Sequence, residues 1–393
     1  MKLKKSLGFI ISLLFFIAIN LKHEYFTMID LGDFGFKWFH LFSILLIPFF
    51  NISFFTKRIF IYYGLFVISL NLASLAGVVP DYDPTIKGIF RYFFWFYCIA
   101  IGYSVTLLLR YDVYKILILT CYTMFFLILI KNLYYTERIV GLWQASGSHP
   151  QAGWNYYNTY TNVNREVATL TFYSIFLLIT RKNYFVYIYS LLNSFISKVL
   201  GAILMYLTFY ARKYITKIRW VVIFLVLFSS VLFTADLKDY FEYGSYRVYI
   251  WSLGAISILS FDFFNIVIGK GLGSAVHVFE SFSHNPFGIE FEALHERYEE
   301  FHNMFLTFFY EQGLFGIIGI LFFIALPVFK SFNINGADKG FKGLNLMLIL
   351  MFLYGLITSY PADPIFSLFF GVSLGLKHIK GNEKENSDYS SAT

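Results

Sequence analysis

Charge is what this chain has least of. Only 14% of its 393 residues are Asp, Glu, Lys or Arg, against roughly 25% in a soluble globular domain, and that shortfall excludes an ordinary water-soluble fold. Cysteine is scarce too. Cys98 and Cys121 both fall inside apolar runs, which predicts buried thiols and no disulfide framework. The chain has no internal repeats and no low-complexity segments, unlike the duplicated architecture of many transporters. His295 and His302 stand seven residues apart in "HERYEEFH", whereas a zinc-protease helix needs two histidines four apart with Glu between them. The stretch "GKGLGSA" at 269–275 lacks the Walker spacing of a nucleotide loop. Neither a metal ion nor a cofactor is expected. The basic residues are spread among loops rather than gathered on one face, so nucleic acid is not expected as a partner.

What remains is apolar: 58% of the residues are hydrophobic and 22% aromatic. Runs of about 20 apolar residues recur, the length a helix needs to cross a bilayer. The expected fold is all-α, a polytopic membrane protein of about twelve transmembrane helices with a large extracytoplasmic loop. The spans read as 6–21, 36–55, 59–78, 88–109, 113–131, 165–180, 183–197, 198–211, 219–235, 303–328, 343–360 and 364–377. The opening "MKLKKSLGFIISLLFFIAIN" has no small-x-small cleavage site and reads as a retained first helix.

Segment 183–211 is either one long helix or two short ones meeting near Lys198, and loop charge decides between them. Two crossings put "ARKYITKIR" (211–219) and the tail "KHIKGNEK" on the side of Lys2, Lys4 and Lys5. That gathers the majority of the 31 basic residues on the cytoplasmic side. A single helix would set these groups against one another.

Two long loops then face away from the cytoplasm. One, 132–164, holds "QASGSHPQAGWNYYNTYTNVN", rich in Gly, Asn, Tyr and Trp; the other is 236–302. Within the second, 246–268 is apolar enough for a further span. Asp262 interrupts it, and a crossing there would reverse the charge bias downstream, so a helix lying against the membrane surface is expected. The domains expected are an N-terminal bundle (1–235), an extracytoplasmic catalytic loop (236–302), C-terminal transmembrane helices (303–378) and a disordered cytoplasmic tail (379–393).

Several patches follow in a set order. "SYRVYIWSLG" (245–254) carries Arg247 and Trp251 four apart, on one helical face. Gly269, Gly271 and Gly273 come next. Then His302 and Asn303 open a membrane helix that continues through Glu311, Gly313 and Gly316. This order resembles the bacterial O-antigen ligase and O-antigen polymerase superfamily of polytopic membrane glycosyltransferases. Upstream, "NREVATLTF" (164–172) is similar to that family's Asn-x-x-Ala segment. In "FISKVLGAILMYL", Lys198 follows Ser197 where the family usually has Arg. The resemblance covers about 160–330.

The resemblance implies an enzyme of the bacterial inner membrane with its active site facing outward. The donor would be a glycan on undecaprenyl pyrophosphate and the acceptor a sugar hydroxyl, on a lipid-linked glycan or on lipid A-core. A flippase and a chain-length regulator would work beside it. His302 would be the general base, since a neutral imidazole suits proton removal near pH 7. Arg247 would act in catalysis by holding the pyrophosphate, with Lys198 and Arg165 as further contacts, because leaving-group charge calls for cations. Asn303, Glu299, Glu300 and Trp251 would support them. Gly313, Gly316 and Gly319 would let a neighbouring helix approach. Polymerase and ligase share donor and catalytic residues. Lys198 in place of Arg and the aromatic-rich outer loops favour the polymerase. A transporter or flippase of lipid-linked sugar is the remaining alternative.

Overall fold

Long apolar runs leave the backbone to satisfy its own hydrogen bonds, and this chain does so as helix. A computed structural model describes residues 2–21, 27–29, 36–51, 64, 68, 71–72, 82–134, 163–196, 200–211, 246–281, 301, 303–332, 338–355 and 364–391. The architecture is all-α. Among the described residues the only β structure is a short antiparallel pairing of β1 (Thr27–Ile29) with β2 (Phe36–Lys37). The helices are α1 (Lys2–Asn20), α2 (Trp38–Leu45), α3 (Ile86–Leu109), α4 (Val113–Tyr134), α5 (Val163–Arg181), α6 (Tyr184–Ile196) and α7 (Leu200–Tyr210). They continue with α8 (Tyr246–Leu259), α9 (Phe263–Ile268), α10 (Ala275–Ser281), α11 (Met304–Gly319), α12 (Leu326–Phe332), α13 (Lys339–Tyr354) and α14 (Pro364–Ser391). A π-helical stretch, Ile320–Ala325, joins α11 to α12.

Among the described residues two stretches are long and apolar enough to cross a bilayer, Ile86–Ile130 and Met304–Lys330. The first comprises α3 and α4, separated by a 3-10 turn at Arg110–Asp112 in which Arg110 has φ 53°. The expected span 36–55 is broken. After α2 a 3-10 turn, Ile47–Phe49, carries Pro48, which has no N–H to continue a helix. The expected spans 59–78 (save four residues) and 219–235 lie outside the described residues.

The centre of the bundle is α3 against α14, running parallel. Ile99 meets Gly371, Gly102 meets Leu368 and Val372, and Thr106 meets Gly375. A Cβ added at Gly102 would run into the Leu368 carbonyl, and one at Gly371 into that of Ile99. Small residues four apart allow this backbone contact.

Segment 183–211 is a hairpin of two short helices, as loop charge predicts. The Tyr187 hydroxyl donates to Tyr210 (2.9 Å) and that of Tyr206 to Ser190 (2.6 Å), so α6 and α7 run antiparallel. Ser174 on α5 joins the same network through Tyr206 (3.0 Å).

At the far end of α3, charged groups meet. Lys5 and Lys115 flank Asp112 (2.6 and 2.9 Å), and their hydrogen bonds hold its carboxyl below the usual range. Lys380 pairs with Asp338 (2.7 Å), and Tyr111 donates to Glu383 (2.6 Å). These last two contacts bear on the tail. Composition predicts disorder from 379, yet α14 continues helical to Ser391, and its first polar turns, at Lys380 and Glu383, find partners on the bundle.

Candidate functional site

The site is built where chain segments far apart in sequence meet at the N-terminal end of α3. Residues 269–274 form a loop in which Gly269, Gly271 and Gly273 have φ of 78°, 115° and 78°. L-residues with a side chain are strained in that region, so glycine is required by the backbone. Close packing requires it too. A Cβ at Gly271 would sit 2.8 Å from the Pro84 nitrogen, and one at Gly273 would sit 2.7 Å from the Gly88 Cα.

The loop is held on both sides. Asp83 N donates to the Lys270 carbonyl and Thr85 N to that of Leu272, each at 2.8 Å. Lys270 N and Gly271 N donate in turn to the carbonyls of Tyr310 and Glu311 (2.8 and 3.0 Å). Those acceptors are free to bond the loop because α11 breaks at Gly313 (φ 60°, ψ −152°), which interrupts the intrahelical ladder. Gly313 is thus needed for a chain break as well as for close packing, since its Cβ would press on Val267.

Beside this break lies a buried carboxyl. Glu311 is 1% exposed, and its Oε2 accepts a hydrogen bond from the Tyr92 hydroxyl on α3 (3.0 Å). Tyr82 lies close by. Burial first, and then the charge of Glu311, raise its phenol above the usual range. His277 on α10 faces Asp83 across 3.6 Å, with both side chains reaching solvent. The Lys270 ammonium lies 5.8 Å from the centre of the Phe261 ring.

The sequence-predicted residues fall out unevenly. Asn303 is buried and caps α11: its Oδ1 accepts from Phe305 N (3.0 Å) and Leu306 N (3.2 Å). Its side chain is therefore occupied in fixing the helix start. Phe301 is fully buried against Gly254 of α8, Phe279 of α10 and Tyr310 of α11. Trp251 is buried on α8. Arg247 precedes Trp251 and Gly254 by about one and two turns of that helix, although its side chain lies outside the described residues. His302, Lys198, Glu299 and Glu300, and the Arg165 side chain, also lie outside them. What the structure does join is the helix bearing Arg247 to the helix start that flanks position 302.

Two features escape a reading along the chain: the Tyr92–Glu311 bond and the Asp83–His277 pair. Neither has a local signal, because each joins residues nearly two hundred positions apart or more. Among the described residues no group of three or more His, Cys, Asp or Glu is placed to hold a metal ion. The chemistry on offer is imidazole and carboxyl groups beside a backbone-rich loop and the Lys270 ammonium, suited to proton transfer and anion contact.

Gly269→Ala should destabilise the fold by about 1–3 kcal/mol from left-handed backbone strain alone. Gly381→Ala, with nothing within 4 Å of its added Cβ, should not. Thermal unfolding of the two variants in detergent checks this, and equal midpoints would contradict the loop geometry. Scanned against models of known protein families the chain matches none, and no curated protein matches it.

Proposed function

We propose that this chain is a polytopic enzyme of the bacterial plasma membrane, crossing it about twelve times. On this reading it polymerises undecaprenyl-pyrophosphate-linked repeat units into an O-antigen or capsular polysaccharide. The observation that carries the reading is the meeting of three sequence patches at one end of α3. These are α8, the glycine loop and the Asn303-capped start of α11. The charged end that holds Lys5, Lys115 and Lys380 lies a helix length away, roughly 36 Å along α3. With that end assigned to the cytoplasm by the positive-inside rule, the three patches face outward. Parallel α3 and α14, and antiparallel α6 and α7, suit the alternation of twelve spans.

The step needs no redox partner. His302 accepts the proton of the acceptor hydroxyl as its oxygen attacks the donor's anomeric carbon. The bond from that carbon to the pyrophosphate oxygen breaks, and its electron pair leaves on undecaprenyl pyrophosphate. Arg247, with Lys198 and Arg165, stabilises the charge that develops there. Glu299 and Glu300 orient the imidazole or bind sugar, and Trp251 packs the helix that presents Arg247.

A strain lacking the chain tests the proposal. Core lipid capped with a single repeat unit is the expected product, and complementation should restore long polymer. Bare core with accumulated lipid-linked polymer would assign the ligase activity instead. Unchanged glycan would overturn both.

A further inference from the structure

We propose that a cavity at the opposite end of the bundle binds the phosphodiester headgroup of an anionic membrane lipid. It lies between α4, α5 and the start of α13, and its volume is about 360 Å³. The inference rests on the membrane-spanning part of the preceding reading and not on glycosyl transfer.

The walls are mixed. Ile118 and Phe176 are apolar, while Tyr111, Tyr114, Thr180 and Arg181 add hydroxyls and a guanidinium. Such a mixture suits an amphiphile better than a small soluble metabolite, which would leave the apolar side chains unmatched. The charge balance then selects the headgroup. Asp338 is the only acid in the lining, and its carboxylate is already engaged. Lys380 holds it at 2.7 Å, and it caps α13 through Phe341 N, also at 2.7 Å. Among the described residues no carboxylate is paired with Arg181. The Thr180 hydroxyl donates to the Phe176 carbonyl (2.8 Å) and that of Tyr114 to Asp338 (3.4 Å), so the anion contact the cavity presents is the guanidinium fork of Arg181. That fork matches two oxygens of a phosphodiester. Basic pockets between helices on the cytoplasmic side of a membrane recognise anionic lipid in this manner.

The cavity is also held open. Tyr111 stacks on Tyr114 with ring centres 6.5 Å apart, and its hydroxyl is tied to Glu383 of α14. Gly340 lies so near Tyr114 that an added Cβ would stand 2.8 Å from the ring. The end of α14 thus pins two walls, through Tyr111 and Asp338, and the ligand finds them in place.

The test uses the full chain in nanodiscs, with native mass spectrometry counting retained lipid. Phosphatidylglycerol should be retained in preference to phosphatidylcholine. Arg181→Ala should weaken that retention about tenfold, the loss expected for one charge-assisted contact. Arg181→Lys should fall between, keeping the charge and losing the fork. Equal retention by wild type and Arg181→Ala, or equal retention of the two lipids, would overturn the proposal. Displacement of the lipid by millimolar inorganic phosphate would also overturn it, because the site would then serve a free anion. Alkaline carbonate extraction reports membrane insertion independently of Arg181. A chain found in the soluble fraction would overturn the membrane reading and this inference together, whereas an inserted chain blind to Arg181 would overturn this inference alone.

Discussion

Replacing His302 with Ala should lower glycan elongation by a factor on the order of 10² to 10⁴, the usual contribution of a positioned general base. Folding should survive the change, for reasons visible on either side of it. Phe301 is wedged between α8, α10 and α11; the Asn303 side chain caps α11; and Met304 N donates to the Gly355 carbonyl at 2.9 Å. None of these contacts uses the side chain at 302. The measurement is polymer formation by membrane vesicles supplied with lipid-linked repeat units, with a thermal midpoint to confirm folding. Arg247→Ala should be nearly as damaging, and Arg247→Lys should recover part of the loss if a cation on the pyrophosphate is what matters. His277→Ala is the informative control, since the Asp83–His277 pair sits at the same end of the bundle. Full activity in His302→Ala together with loss in His277→Ala would move the proton acceptor to that pair.

The largest loss of stability should come from the α3–α14 contact. Gly371→Leu places a side chain where the Ile99 carbonyl already lies, with the Ile99 Cα 3.0 Å from its Cβ. Gly102→Leu meets the Leu368 carbonyl and, at 3.0 Å, the Val372 nitrogen. Overpacking against movable side chains costs about 1–3 kcal/mol. Here the obstacle is backbone, so either helix must shift bodily. A cost of ~3 kcal/mol or more would consume a large share of a total stability of roughly 5–15 kcal/mol. We expect little folded protein in detergent extracts of either variant, and none of the double variant. Gly381→Leu, on the same helix with open space around it, should extract normally. Normal yield of Gly371→Leu would mean that the two helices do not touch there.

Local chemistry carried the sequence reading a long way. Asp262 interrupts the apolar run at 246–268, as expected, by capping α9 through Asn265 N (2.7 Å). The helix expected to start at 303 starts there because Asn303 caps it. The glycines at 269, 271 and 273 mark a turn that side chains would strain. Each of these depends on a residue and its close neighbours, so each is legible in order along the chain. The tail was misread for the converse reason. Its composition is that of a solvated segment, and the partners of Lys380 and Glu383, Asp338 and Tyr111, lie far away in sequence.

By itself, then, the sequence determined that this protein is helical and apolar, and where a few of its helices begin, since hydrophobicity, capping and backbone sterics act over a few residues. Only the tertiary structure decided which helices touch, that Glu311 is buried beneath Tyr92, and that a cavity opens at the charged end. The physical reason is the near-uniformity of the helix surfaces. Where nearly every face is apolar, periodicity does not say which face turns inward, and the choice passes to the few glycines, hydroxyls and buried charges that fit in one arrangement.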